Sequence, residues 1–269
     1  MNQQLAVICS SAQELIKDTA DFILHELGKV SVQQIETKAL NSLVSYVDKT
    51  AEQRLTAGLS EILPGSVFLT EEETVAQEKG DWRWIIDPLD GTTNFLHQLP
   101  CFAVSVALEY QGEVVLGIVR EVTRSETFSA WKGSGVLLNG KPVTVSATPS
   151  LDQGLVATGF PYYDFDRMTK YLEAIRWMME HTRGIRRWGA AAVDLAYVAC
   201  GRYDLFFEYH LQPWDVAAGA FLVKEAGGKV GDFKGGNGFW DGSEIIAANP
   251  QVYVEGQAML ERVFYSESV

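Results

Sequence analysis

Near the start of the chain, apolar positions fall at helical spacing. Leu5, Ile8, Ala12, Leu15, Ile16, Ile23 and Leu27 mark one face and Gly28 follows as a stop, which predicts one long helix over 5–27. A second stripe, Ala51, Leu55, Leu59 and Ile62, follows Asp48 and ends at Pro64-Gly65. The rhythm then shortens. Residues 102–110 and 113–119 are rich in β-branched and apolar side chains and are separated by Gln111-Gly112, the pattern of a β-hairpin. Strand candidates at 126–130 and 143–145 extend this into a helix-poor meander over 66–146, for which an antiparallel sheet is expected. Beyond it the pattern alternates: a strand at 155–157, helices around 168–180 and 190–199, a strand at 203–207, a helix at 216–226 closed by Gly227-Gly228, and strands at 229–230 and 244–247. Two halves are expected, 1–146 with two long helices and the antiparallel sheet, and 147–269 with a mixed α/β sheet. With no repeat or low-complexity linker between them, they should pack as one body.

Composition narrows the function classes. A chain of 269 residues, 47% of them hydrophobic, has ample material for a core. Its 35 acidic residues against 22 basic ones, net −13, leave no basic stripe for a nucleic-acid polymer. A small anionic substrate would have to be held by metal ions or helix N-termini. Cys9, Cys101 and Cys200 are odd in number, widely spaced and without a C-x-x-C pair, so reduced thiols in a cytoplasmic protein are expected rather than a disulfide framework or a zinc site. No export signal is evident at the start, and the apolar runs are too short to span a bilayer, so no membrane association is expected.

The densest chemistry lies in Trp84-Ile85-Ile86-Asp87-Pro88-Leu89-Asp90-Gly91-Thr92-Thr93-Asn94, where an apolar strand ends in two carboxylates, a glycine and two hydroxyls. Hard oxygen donors at a strand exit suit Mg²⁺. Gly91 permits close backbone approach, and the N–H groups after it can hold a phosphate. Asp-Pro-x-Asp-Gly is also an ordinary turn, since each of its residues favours turns. Glu71-Glu72-Glu73 follows the apolar Val67-Phe68-Leu69 and either places carboxylates at a second strand exit or forms a solvated acidic loop. Asp215, just before the 216–226 helix, reads equally as a simple cap. His97 and His210 read as structural or solvent-facing, because histidine is not a preferred Mg²⁺ donor. Arg186-Arg187 could approach an anion but reads as an exposed pair serving solubility, and Trp82, Trp84, Trp131, Trp188 and Trp214 read as core or interface anchors.

Together these segments resemble the inositol monophosphatase family, within the larger group that includes fructose 1,6-bisphosphatases and lithium-sensitive nucleotide phosphatases. The resemblance rests on Glu71-Glu72, on W-I-I-D-P-L-D-G-T-T-N-F at 84–95, and on W-D-V-A-A-G at 214–219 followed by E-A-G-G at 225–228. It implies an α+β fold, a layered α-β-α-β-α sandwich with an antiparallel sheet first, a mixed sheet second and the site between the halves. It also implies a homodimer and a phosphatase for a phosphorylated polyol or sugar, foremost inositol 1-phosphate. Two or three Mg²⁺ ions would serve it, with Mn²⁺ as a substitute and Li⁺ and Ca²⁺ as inhibitors.

By the same resemblance, Glu71, Asp87, the Leu89 carbonyl, Asp90, Thr92 and Asp215 form the metal shell. Glu71 and Thr92 orient the attacking water, with Asp48 as the hydrogen-bond partner of Thr92; capping preference alone makes Asp48 a helix start just as well. Asp90, Gly91, Thr92, the Ala191 backbone, Glu208 and Asp215 meet the substrate. Lys38 stands within about a residue of the family's mobile-loop lysine. One departure is Ser42-Leu43-Val44-Ser45, which replaces the usual Asp-x-Val-Thr with serine at both polar positions. Two alternatives stay open: a related phosphatase for fructose 1,6-bisphosphate, histidinol phosphate or an adenosine bisphosphate, which calls for a cationic or stacking subsite, and a non-catalytic phosphate-binding protein, which calls for a broken metal shell.

Overall fold

The computed structural model describes residues 2–39, 42–162 and 164–266. The Lys38 side chain lies outside the described residues. Helix α1 (Asn2–Glu26) buries the anticipated face, including Leu5, Ile8, Ala12, Ile16 and Ile23. Strands β1 (Ile35–Ala39) and β2 (Ser42–Ser45) form an antiparallel pair that feeds α2 (Tyr46–Ile62). Ser45 caps α2, its hydroxyl accepting from the Val47 amide at 3.2 Å, while Asp48 Oδ2 accepts from the Ser45 amide at 2.9 Å. The serine that departs from the family pattern therefore still starts this helix.

The first sheet runs in the order β3 (Val67–Thr70), β4 (Trp82–Asp90), β5 (Ala103–Tyr110), β6 (Glu113–Glu121), β7 (Glu126–Trp131), β8 (Val136–Leu138) and β9 (Lys141–Val143), with the short α3 (Thr92–Leu96) after β4. From β4 onward it is antiparallel, as expected. At its edge β3 runs parallel to β4, which the meander reading did not foresee. The connection over 71–81 returns to the far end of the sheet before β4 begins, so both strands exit on the same side. The β4–β5 register slips between Asp87 and Asp90, around Pro88, which has no N–H for the ladder.

The second half supplies β10 (Val156–Thr158), α4 (Met168–His181), β11 (Ile185–Arg186), α5 (Ala191–Ala199), β12 (Leu205–Tyr209), α6 (Pro213–Glu225), β13 (Lys229–Gly231), β14 (Glu244–Ala248) and α7 (Pro250–Tyr265). Its sheet, ordered β11-β10-β12-β14-β13, is parallel around β10 and antiparallel around β14. Helices α1 and α2 pack on the outer face of the first sheet, α5 and α6 lie between the sheets, and α4 and α7 cover the outer face of the second. The order is the expected α-β-α-β-α. A helix sandwiched between sheets has no wet face, and every residue of α5 is buried. Among the described residues, no helix is long and apolar enough to cross a membrane.

Candidate active site

The parallel edge positions the first carboxylate. Thr70 pairs with Ile86, and the Glu71 amide donates to the Ile86 carbonyl at 3.2 Å, so Glu71 leaves β3 beside Asp87. Buried Glu52 of α2 fixes the loop that follows: its carboxylate accepts from the amides of Glu72 and Thr74 and from the Thr74 hydroxyl, each at 2.7 Å. Glu52 escaped the sequence reading, although it lies on the apolar stripe of α2 between Ala51 and Leu55, where a carboxylate needs donors.

At the bulge, Asp87 Oδ1 accepts from the Leu89 amide at 2.8 Å. Gly91 has φ +91°, and a Cβ there would stand 3.0 Å from the Cys101 carbonyl oxygen and 3.2 Å from that of Gly189. Only glycine makes this turn without strain or clash. The turn delivers Thr92, whose hydroxyl lies 2.9 Å from Asp48 Oδ1 and 3.0 Å from the Leu89 carbonyl oxygen. Asp48 is thus both things the sequence left open: Oδ2 serves the start of α2, including the Ser45 hydroxyl at 2.7 Å, and Oδ1 serves Thr92. Burial raises its carboxyl, against the lowering effect of these donors.

Asp215 repeats the arrangement. Its Oδ2 accepts from the Gln212 amide at 2.7 Å at the start of α6, and its carboxyl also hydrogen-bonds Asp87. Asp90 Oδ2 accepts from the Ala192 amide at 2.7 Å, so a carboxylate of the first sheet caps α5, whose own N-cap residue, Ala190, has no side chain able to do so. Asn94 adds a second tie between the halves, its Nδ2 donating to the Cys101 carbonyl at 2.7 Å and the Trp188 carbonyl at 2.8 Å. Burial pushes Asp87 well above the usual carboxylate range, and the charges of Glu71, Asp90 and Asp215 push it further. Burial likewise lifts Asp90 and Asp215 to about 7.

A cavity of about 50 Å³ adjoins these carboxylates, lined by Asp90, Ala191 and Asp215 together with Gly159, Tyr162, Arg187, Asp194 and Glu208. Glu208, on β12, is buried and pushed up to about 8, first by desolvation and then by the charge of Asp215. Gly159 makes room for it: a Cβ there would fall 2.1 Å from Glu208 Oε1. Arg187 is exposed, as read, yet of its two readings the approach to an anion gains support. Its side chain lines the cavity and lies over the Phe160 ring at 5.4 Å, and its charge lowers Asp90, Glu208 and Asp194, so more than solubility is involved. Asp194 was also missed, though a lone carboxylate in an otherwise apolar helix is itself a signal. His97 is exposed and His210 Nδ1 lies 3.3 Å from Asp164, in keeping with their expected minor roles.

The donor set suits hard cations. All the converging groups are oxygens, and two buried carboxyls hydrogen-bond each other, as Asp87 and Asp215 do, only when one holds a proton, which marks a place that favours positive charge. Among the described residues no three acidic, histidine or cysteine side chains close around one point as they stand.

Comparison with known proteins identifies relatives along nearly the whole chain. The model of the inositol monophosphatase family matches residues 4–263. The Nus factor SuhB of Pseudomonas aeruginosa is 42% identical over 88% of this chain and 89% of its own. The inositol-1-monophosphatase of Mesorhizobium japonicum is 41% identical over 83% and 85% respectively. The crystal structure of the extragenic suppressor protein suhB from Bartonella henselae superposes with a TM-score of 0.89 at 39% identity, covering 95% of this chain and 98% of that one.

Proposed function

The chain belongs to the inositol monophosphatase family, and on that premise we propose that it is a Mg²⁺-dependent phosphatase that converts inositol 1-phosphate to inositol and phosphate. The observation that carries the reading is that Glu71, Asp90 and Asp215, from three distant stretches of chain, lie near enough to Asp87 for their charges to raise its carboxyl, with the Thr92–Asp48 hydrogen bond on the turn that follows Asp90. Glu71, Asp87, the Leu89 carbonyl, Asp90, Thr92 and Asp215 would hold the ions. Bound divalent cations supply a water of lowered pKa and neutralise charge on the phosphate oxygens.

The side chains account for the rest. Thr92 has a single hydroxyl hydrogen, directed at Asp48 or at the Leu89 carbonyl, so its lone pairs are left to accept a hydrogen bond from the attacking water; as the water's proton passes to Thr92, the threonine's own proton would pass to Asp48. Glu71, fixed by the parallel strand edge, orients the same water from the other side of the bulge. In-line attack on phosphorus then releases the polyol without any covalent enzyme intermediate. The amides of Gly91 and Thr92 are assigned to the phosphate. The Ala191 backbone, Asp90, Glu208 and Asp215 are assigned to the ring hydroxyls. Mn²⁺ is expected to support turnover, and Li⁺ and Ca²⁺ to inhibit it. The same reading makes the chain a cytoplasmic homodimer.

The test is phosphate release from inositol 1-phosphate with Mg²⁺, for the wild type and for Asp90→Asn. The variant keeps an acceptor for the Ala192 amide, so it is expected to fold while losing turnover. Wild-type turnover that persists in chelator would sink the mechanism. A second reading comes from the relatives named Nus factor and extragenic suppressor, names that state no phosphatase activity. It predicts a folded chain that releases no phosphate from any phosphorylated polyol, sugar or nucleotide in a Mg²⁺ screen.

A further inference from the structure

We infer that Asp194 is a second hydroxyl-reading carboxyl of the substrate pocket, acting beside Glu208; the inference rests on the phosphatase reading above. Asp194 is the only charged residue of α5 and is 1% exposed. Its Oδ1 has no hydrogen-bond partner among the described residues, and the side chain lines the cavity that Glu208 also lines. A buried carboxyl without a donor is costly, and a ligand or water in the cavity has to supply one. Capping does not explain it, because the α5 amides are served by Asp90.

Two acceptors on one small cavity, Asp194 from α5 and Glu208 from β12, match adjacent hydroxyls of a polyol, each of which donates. Once ionised, the same pair repels a second phosphate at that position. Arg187, at the same cavity, lowers both carboxyls with its charge. The pocket therefore selects phosphomonoesters whose far end is neutral and polyhydroxylated.

Steady-state kinetics of the Mg²⁺-loaded chain on inositol 1-phosphate, its single-deoxy analogues and para-nitrophenyl phosphate test this. Asp194→Leu is expected to lower the ratio of kcat/KM for inositol 1-phosphate to that for the aryl ester about tenfold, mainly through KM, the size of one lost hydrogen bond. Asp194→Asn, which keeps an acceptor, should lower it less. Removing one particular ring hydroxyl should reproduce the tenfold loss in the wild type and cost the Leu variant little. Equal losses on both esters, or deoxy penalties of the same size in wild type and variants, would overturn the inference. If the Leu variant does not fold, the deoxy series on wild type and Asp194→Asn decides between these outcomes. A wild type that hydrolyses the aryl ester but not inositol 1-phosphate overturns the polyol assignment along with it. A polyol preference that survives Asp194→Leu overturns the inference alone.

Discussion

Asp48 uses one oxygen to start a helix and the other to aim a hydroxyl, and the two duties separate by substitution. Asn in its place keeps one acceptor but offers an N–H₂ group to the other neighbour. With that group facing Thr92, the threonine accepts from it, its hydrogen is left to the Leu89 carbonyl or the water, and the route for a proton to Asp48 is lost. Asp48→Asn is expected to lower kcat about 100-fold with little change in thermal unfolding. Ser45→Ala should do the reverse, costing about 1 kcal/mol of stability while turnover is kept. Paired kcat measurements and melting curves check both, and a Ser45→Ala variant that is stable but inactive would contradict the division. Sequence pattern could not separate these duties, because a cap and a proton-orienting carboxylate look alike until the partner of the second oxygen is known. Arg187 failed to stand out for a related reason: a basic pair in an acidic chain carries no mark of which side chain borders a cavity.

Among the elements, the middle layer is the tightest. Gly219 of α6 lies against α5 so closely that a Cβ would stand 2.5 Å from Leu195 Cβ. Helices that carry the Asp215 carboxyl and the Ala191 backbone are therefore held at a spacing set by a missing methyl. Gly219→Ala is expected to destabilise the protein by about 1–3 kcal/mol and to lower activity at temperatures where it remains folded. Denaturant unfolding with a parallel activity assay checks this, and an unchanged midpoint would show that the layer yields. Long helices, the hairpin at β5–β6 and the alternation of the second half were legible because their periodicity is local. The parallel β3–β4 edge was not, since strand direction depends on where the 71–81 connection returns, and no local pattern records that. Yet this edge is what sets Glu71 beside Asp87.

For the whole molecule, a small group of its acidic side chains is buried where desolvation keeps the carboxyls protonated. Asp90 and Asp215 titrate at about 7 and Glu208 at about 8, against about 4 in an unfolded chain. Between these values the folded protein holds protons that the unfolded chain has released. Their stabilisation is complete below the unfolded value and is lost as pH rises through 7–8. In chelator, the melting temperature is expected to fall from pH 5 to pH 8. Mg²⁺ should raise it more at pH 8 than at pH 5, because protons and cations compete for the same oxygens. Calorimetry at both pH values, with and without Mg²⁺, checks the sign; a Mg²⁺ effect independent of pH would place the ion elsewhere.

The two sheets contribute different things to the seam. Strand exits of the first carry Glu71, Asp87, Asp90 and the Thr92 turn, whereas Glu208 comes from the second and Asp194 from the helix layer beside it. In the proposed reading, Asp90 and Asp215 serve both the ions and the ring, whereas Glu208 and Asp194 address the substrate alone. A lineage built on this scaffold can change its diet by altering one wall and leave the cutting edge untouched.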